Sequence, residues 1–312
     1  MRFMKFLAGT PHVPFLRFKV LCFALSALLM LGSLVSLATQ GLNFGIDFRG
    51  GILMEVRTPQ PANLSEMRST LGQLGLGEVS LQEFGAETDV LIRIQQQDGG
   101  EAGQQAAIEA VRGALGDDVN YRRVEFVGPK VGAELIQDGI LAVLIALGAI
   151  LMYIWFRFEW QFGVGGVLTL IHDVLITIGL FSVLQLEFNL STVAAILTIA
   201  GYSINDTVVV YDRIRENLRK YKKLDISALC DLSLNDTLAR TLLTSGTTIL
   251  ALVALFSFGG PVVRDFSGAL IFGILIGTYS SIFIATPVLT YMNLRRDSDN
   301  AAEDAGKATT AG

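Results

Sequence analysis

Leu190-Ser-Thr-Val-Ala-Ala-Ile-Leu-Thr-Ile-Ala-Gly-Tyr-Ser-Ile-Asn-Asp-Thr-Val-Val-Val-Tyr211 is an apolar run that carries an amide, Asn205, and a carboxylate, Asp206, toward one end. About 20 consecutive apolar residues cross a bilayer as a helix, and an ionisable group inside such a run is costly and points to function. Five further apolar blocks surround it, so the six read as spans over 20–38, 136–156, 163–184, 190–211, 241–258 and 266–292. They lie in a 312-residue chain of which 17% is charged, with a mean hydropathy of +0.51; an ordinary soluble domain is about 25% charged. This composition excludes a soluble enzyme and a disordered chain.

Arg17 and Lys19 precede the first block, as they would in a secretion signal. The block is longer than a usual signal core and has no small-x-small cleavage site behind it, so it reads as an uncleaved anchor. Basic residues then set the orientation. Fifteen fall on one side: four in the N-terminal arm (1–19), Arg157, seven in and beside a basic loop at 212–239, and three in the tail (295–312). The two short loops on the other side contribute only Arg264. Both termini are therefore expected in the cytoplasm, with 39–134 as an extracytoplasmic domain and 135–294 as a five-helix bundle. The eight basic residues of the long segment do not oppose this, because long domains translocate regardless of charge. The tail, rich in Ala, Gly, Asp and Thr, reads as disordered.

A net charge of −5 offers nothing to nucleic acid. Cys22 and Cys230 fall on opposite sides of this topology, and two histidines, His12 and His172, are too few for a histidine-built metal site.

The outer segment reads strand, helix, strand, strand, helix, strand, the order of a ferredoxin-like split βαβ unit. Ile52, Met54 and Val56 alternate after the turn-like Arg49-Gly50-Gly51, and Asn63-Leu-Ser-Glu66 has the form of a helix N-cap. Strands near 79–84 and 90–94 flank a turn placed at Thr88-Asp89, a helix follows at 103–115, and a last strand at 119–127. Its 14 acids against 8 bases argue against a polyanion ligand, and it holds no catalytic triad, paired carboxylates or phosphate loop.

Within the spans, the third carries His172-Asp173, the fourth Asn205-Asp206, and the fifth opens with Arg240 followed by Thr241, Thr244, Ser245, Thr247 and Thr248. At 1.5 Å per residue, Asp206 and Arg240 fall about 24 and about 27 Å from the same outer face, with Asp173 about 15 Å in from the other. Asp206 and Arg240 can therefore meet, and Arg240, Thr244 and Thr247 or Thr248 share one helical face. The pair could be a structural salt bridge or a titrating site, and His172-Asp173 could be a packing pair or part of the same lane. Asp212, Arg213, Arg215 and Glu216 read as a solvated continuation of the fourth helix, and glycines such as Gly163, Gly165, Gly166, Gly273 and Gly277 as points of close helix contact.

Several of these stretches resemble one family. Leu42-Asn-Phe-Gly-Ile-Asp-Phe-Arg-Gly-Gly51, with Gly45, Asp47, Gly50 and Gly51, is similar to the segment after the first span of the SecD/SecF family, itself a relative of the RND exporters. Val127-Gly-Pro-Lys-Val-Gly-Ala-Glu-Leu135 resembles the entry to its second span. His172-Asp173, Gly201-Tyr-Ser-Ile-Asn-Asp-Thr-Val-Val-Val-Tyr-Asp-Arg-Ile-Arg-Glu-Asn217 and Arg240-Thr-Leu-Leu-Thr-Ser-Gly-Thr-Thr248 match the SecF branch. The resemblance runs from about 15 to 295. It implies a six-span half-unit that is obligately paired with SecD in the bacterial inner membrane. It also implies docking on the SecYEG channel, a YajC partner, and a late, proton-driven step in preprotein export after the SecA motor. Asp206 and Arg240 would carry the proton, with His172, Asp173, Asn205, Thr244, Thr247 and Thr248 in support. The coupling ion would be the proton, with no cofactor, no metal and no catalytic site of the chain's own. A small-molecule exporter and a purely structural assembly factor are the rival classes.

Overall fold

The computed structural model describes residues 12–116, 118–259, 261–292 and 294. The tail expected to be disordered lies outside these, as does most of the N-terminal arm. In chain order, a 3-10 turn at Phe15–Phe18 leads into α1 (Lys19–Thr39), β1 (Asn43–Phe44), α2 (Ile46–Arg49), β2 (Gly51–Arg57), α3 (Leu64–Gly72), β3 (Val79–Phe84) and β4 (Ala86–Ile94). There follow α4 (Gly100–Leu115), β5 (Asn120–Val127), α5 (Pro129–Arg157), α6 (Trp160–Leu184), β6 (Glu187–Phe188), α7 (Leu190–Lys220), α8 (Ile226–Phe258) and α9 (Pro261–Ser280). A π-helical turn, Ser281–Ala285, and a final turn of helix, α10 (Thr286–Leu289), end the described chain. Two compact units result: Leu42–Val143 with Glu187–Leu190, and a helical unit made of the rest.

The first unit is a ferredoxin-like βαββαβ domain. Its sheet runs β3-β4-β2-β5, antiparallel throughout, with Met54 opposite Ile92 on one side and Val124 on the other. The alternation of Ile52, Met54 and Val56 puts all three on the face covered by α3 and α4, where they meet Met67, Leu71, Ile108 and Val111. Asn63 caps α3 by accepting from the Glu66 N–H at 3.2 Å, and its own amide reaches the Glu66 carboxylate at 3.3 Å. The β3–β4 turn falls at Gly85, not at Thr88-Asp89 as expected. Gly85 has φ +80°, which a side-chain-bearing residue rarely adopts, so the chain reverses there. Asp89 is thereby left inside β4, opposite Arg57.

The Gly50-Gly51 pair is likewise conformational. Both have positive φ (+72° and +118°), and a Cβ on Gly51 would run into the Ile94 carbonyl across the sheet. Just before it, β1 pairs in parallel with β6, a two-residue strand from the connection between α6 and α7. Strands this short carry no periodicity, so nothing in the sequence announces them. The link nevertheless fixes the motif. Gly45 donates its N–H to the Phe188 carbonyl at 2.9 Å, and Asp47 accepts from the backbone N–H of Leu190, the first residue of α7, at 2.9 Å.

Among the described residues, six helices are long and apolar enough to cross a membrane. α6, α7 and α9 form the interior of the helical unit, with half or more of their apolar windows buried, whereas α5 buries 6% of its window. α1 docks through small polar residues: Ser26, Ser33 and Ser36 are its buried face, Ser36 bonds Ser182 of α6 at 2.8 Å, and Ser33 sits where any side chain on Gly179 would collide. Close backbone approach of this kind is how helices associate where lipid removes a hydrophobic drive.

The segment 212–239, expected as a loop, is mostly helix. α7 continues to Lys220 and α8 begins at Ile226, leaving only 221–225 between them. The cause lies in the packing. Ile214, Asn217, Leu229, Cys230, Ser233 and Leu234 are buried at helical spacing, and Phe15 and Leu16 of the 3-10 turn close over the cluster. Asn217 donates to Ser233 at 2.9 Å, and Arg213 pairs with Asp236 at 2.8 Å.

Candidate functional site

The turn that organises the site is Ser281–Ala285. Pro287 lacks an N–H and its ring crowds the carbonyl four residues earlier, Phe283, so regular α-helix cannot run through. The chain widens to π-helix instead, and side chains bond two of the carbonyls of the turn: Tyr211 donates to the Ala285 carbonyl at 3.2 Å and Thr286 to the Ser281 carbonyl at 3.1 Å. π-Turns of this kind are frequent at functional sites.

At its start stand two serines that face two different carboxylates. Ser280 donates to Asp173 Oδ2 at 2.8 Å, and Ser281 to Asp206 Oδ2 at 2.6 Å. Asp206, 6% exposed, accepts its second bond from Thr241 of α8 at 2.8 Å. Asp173 is fully buried; Ser203 of α7 also donates to its Oδ2, and His172 Nδ1 lies 2.8 Å from Oδ1. The other ring nitrogen of His172 is 3.1 Å from Ser26, which is bonded in turn to the hydroxyl of Tyr279 at 3.0 Å. Tyr279 ends the chain on the Cys22 carbonyl at 2.9 Å. A second branch runs from Ser245 to Thr278 at 2.7 Å, with Tyr202 donating to Ser245 at 3.3 Å. A buried carboxylate is tolerated only where donors meet it, and both carboxylates are met by hydroxyls from several helices.

The arrangement differs from the expected Asp206–Arg240 pair. Among the described residues no ion pair joins them, and Arg240 is exposed. The buried stripe of α8 runs through Thr237, Leu238, Thr241 and Ser245, so the residue turned toward Asp206 is Thr241. Successive residues differ by about 100° around a helix, which carries Arg240 to the open side. Thr244 and Thr247 accompany it there, also exposed, with Thr248 half-buried; all three hydroxyls return to carbonyls of their own helix. They share a face with Arg240 as their spacing requires, about a quarter-turn round the helix from Thr241, which makes the bond to Asp206. Asn205 is exposed as well, turned off the carboxylate beside it. The structure thus brings His172 and Asp173 into one network and Asp206 into its neighbour. Arg240, Asn205, Thr244, Thr247 and Thr248 are outside both.

Ser26, Ser203, Ser280, Ser281 and Tyr279 were not singled out from the sequence. The signal is there for three of them: Thr278-Tyr279-Ser280-Ser281 is a run of hydroxyl side chains within an apolar span, its last three residues eight to six positions before Pro287. Gly45, Asp47, Gly50 and Gly51 hold the backbone of the outer unit and make no such network.

Comparison with known proteins places these features in one family. The model described as protein export membrane protein SecD/SecF, C-terminal, matches residues 107–295, and the SecD/SecF GG motif matches 35–62, the stretch with Gly50 and Gly51. The chain is 49% identical to the protein translocase subunit SecF of Rickettsia rickettsii, over 93% of this chain and 94% of that protein. It is 50% identical to that of Rickettsia bellii, over 88% and 92%. Among solved structures, SecDF from Thermus thermophilus, described as a translocon-associated membrane protein, superposes with a TM-score of 0.82 at 36% identity. The match covers 90% of this chain, which spans only 38% of that longer one. With six helices long and apolar enough to cross a membrane among its described residues, this is a multi-pass membrane protein, and by these matches the chain belongs to the SecD/SecF family.

Proposed function

We propose that the chain works as the SecF half of a SecD–SecF pair and lends one part of a proton path to a late step of preprotein export. The observation that carries this reading is the Asp206 carboxylate, buried between apolar helices and held by two hydroxyls, with no ion pair among the described residues. A structural salt bridge would engage Arg240; here the arginine stands one helical position away on an open face, where a partner can reach it. Whether an arginine lies near a carboxylate alters how tightly that carboxylate holds a proton, so movement of Arg240 relative to Asp206 is a means of loading and unloading. A charge crossing the membrane gains about 2.3 kcal/mol per 100 mV, enough per proton to bias a conformational cycle.

In this reading the partner is SecD, obligately, which supplies the surface opposite Arg240. The assembly docks on SecYEG, with YajC alongside, and acts on unfolded preprotein after SecA. The membrane is the bacterial inner membrane, with both termini cytoplasmic and 39–134 periplasmic. The proton is the coupling ion, without cofactor or metal, and the chain works as a translocase subunit and not as an enzyme. The test is Asp206→Asn in vesicles containing the SecD–SecF pair, scored for proton flux, preprotein release and co-purification with SecD. The reading expects assembly to persist while flux and release are lost; normal flux would end it.

A further inference from the structure

The end of the bundle at which α5 meets α6 and α7 leaves the apolar region carries an open cleft of about 600 Å³, lined by Arg157, Asp212, Arg215, Glu216, Arg219 and Lys220. Its charges are unevenly spent. Arg157 is paired with Asp212 at 2.6 Å, and Glu216 is taken by Arg213 at 2.7 Å. Arg215 donates to the Arg157 carbonyl at 3.4 Å and Lys220 lies over the Tyr221 ring, but neither of them nor Arg219 has a carboxylate partner among the described residues. Arg157 and Arg215 both lie over the Phe158 ring, at 4.9 and 5.5 Å, so the guanidinium at the mouth is held in place before anything binds. Close to Arg157 in the chain, Trp155, Phe156 and Trp160 are 71%, 82% and 58% exposed. Large aromatics at a helix end, outside the apolar interior, mark the headgroup level of a bilayer.

We propose that this cleft is a binding site for the phosphate of an anionic phospholipid. Three cations without a carboxylate partner among the described residues offer the fork and point charges that bind phosphate; the exposed aromatics next to Arg157 in the chain offer apolar surface to acyl chains; and basic pockets between membrane helices are the setting in which anionic headgroups are held. The volume is within the range of small-molecule sites. A soluble anion would use the cations but gain nothing from the aromatics, so the lipid is the better occupant.

Trp155 and Trp160 are the chain's only tryptophans, and they report on the site directly. The full chain, reconstituted in phosphatidylcholine bilayers, is titrated with phosphatidylglycerol carrying brominated acyl chains, then with brominated phosphatidylcholine, while tryptophan fluorescence is followed. Selective binding makes the anionic lipid quench at a much lower mole fraction, with the preference falling about fivefold for each cation neutralised in Arg215→Gln, Arg219→Gln and Lys220→Gln. Quenching of each variant by brominated phosphatidylcholine shows that it is still folded and inserted. Equal curves for the two lipids, or a preference that survives all three substitutions, overturns the proposal. So does competition by inorganic phosphate at matched concentration, which would make the cleft a free-anion site.

Discussion

Asp173 and Asp206, on different helices, are held by consecutive hydroxyls of a third: Ser280 donates to one and Ser281 to the other. Adjacent residues on a regular helix point about 100° apart, which lets one turn serve two sites at once. Because that turn is already widened ahead of Pro287, a change in its winding would alter the donors of both carboxylates together. A packed interior switches between discrete arrangements more readily than it bends. The π-turn is therefore the element through which a change of charge at Asp206 can be felt at Asp173.

The serines can be separated by substitution. Ser281→Ala removes one of the two donors to Asp206, and loss of a donor to a buried polar group costs about 1–3 kcal/mol. A lower thermal midpoint and reduced proton flux are expected, with recovery of both in Ser281→Thr. Ser280→Ala should be milder in flux, since Asp173 keeps Ser203 and His172. Equal flux defects from the two alanines would show that the turn acts as one unit.

The two faces of α8 make opposite forecasts. Thr241→Val deletes the second donor to Asp206 and should impair flux strongly. Thr244→Val and Thr247→Val remove hydroxyls that bond only their own helix, and the isolated chain should keep its stability within about 0.5 kcal/mol. If those two variants lose association with SecD while the chain remains folded, the Arg240 face is the partner surface. If Thr241→Val is silent, Asp206 is not held as the structure has it.

What the sequence made legible follows from where the signals are strong. Six apolar blocks and the period-two alternation of Ile52, Met54 and Val56 each carry many residues of evidence, and the bundle and ferredoxin-like sheet were readable from them. Helix depth alone brought Asp206 and residue 240 to the same level, because rise per residue is fixed. Rotation is not fixed by depth. Which of Arg240 and Thr241 turns inward depends on where α7 and α9 lie, and charge was a misleading guide because a hydroxyl satisfies a buried carboxylate with less desolvation. The β1–β6 pairing and the π-turn were illegible for another reason: the first is two residues long, and the second needs Pro287 read together with the serines six and seven residues before it.

Topology is open to direct labelling. Single cysteines at Gln73, on the cap of α3, and Lys222, between α7 and α8, should react from opposite sides with an impermeant thiol reagent. Reaction of both from outside intact cells would invert the assignment of the basic face to the cytoplasm.

In the outer unit, Arg57 grips Asp89 with two bonds, 2.5 and 2.7 Å, and holds its carboxyl below the usual carboxylate range; Arg122 lies 3.5 Å away. A carboxylate whose proton affinity is weakened by folding stabilises the fold above its unfolded value, about 3.9, and that stabilisation disappears as pH falls through the folded value. The protection of β2 and β4 amides from hydrogen exchange in the intact chain, taken relative to the intrinsic exchange rate at each pH, should therefore fall below about pH 4. Arg57→Gln should weaken the dependence. Arg57 is 43% exposed, so solvent screening keeps the effect modest; the same pH profile in both proteins would assign it to other groups.

The family motif makes a last, separable forecast. Asp47 places its carboxylate on the first N–H of α7, the 31-residue helix that carries Asp206. An acceptor there satisfies a donor that no turn of the helix can reach, and a negative charge adds attraction to the helix dipole. Asp47→Ala should cost about 0.5–2 kcal/mol of stability, whereas Asp47→Asn keeps an acceptor and should lose only the smaller charge component. Gly51→Ala is a harsher test of the same motif, since φ +118° and the Ile94 carbonyl both oppose a side chain. The graded order, Asn mildest and the glycine variant worst, is the expectation if the motif serves to seat the start of α7 in the outer unit. The readouts are the thermal midpoint and hydrogen exchange over 187–194. If Asp47→Asn matches the unaltered protein in both yet abolishes export, capping is not the motif's main task, and the carboxylate must act on something outside this chain.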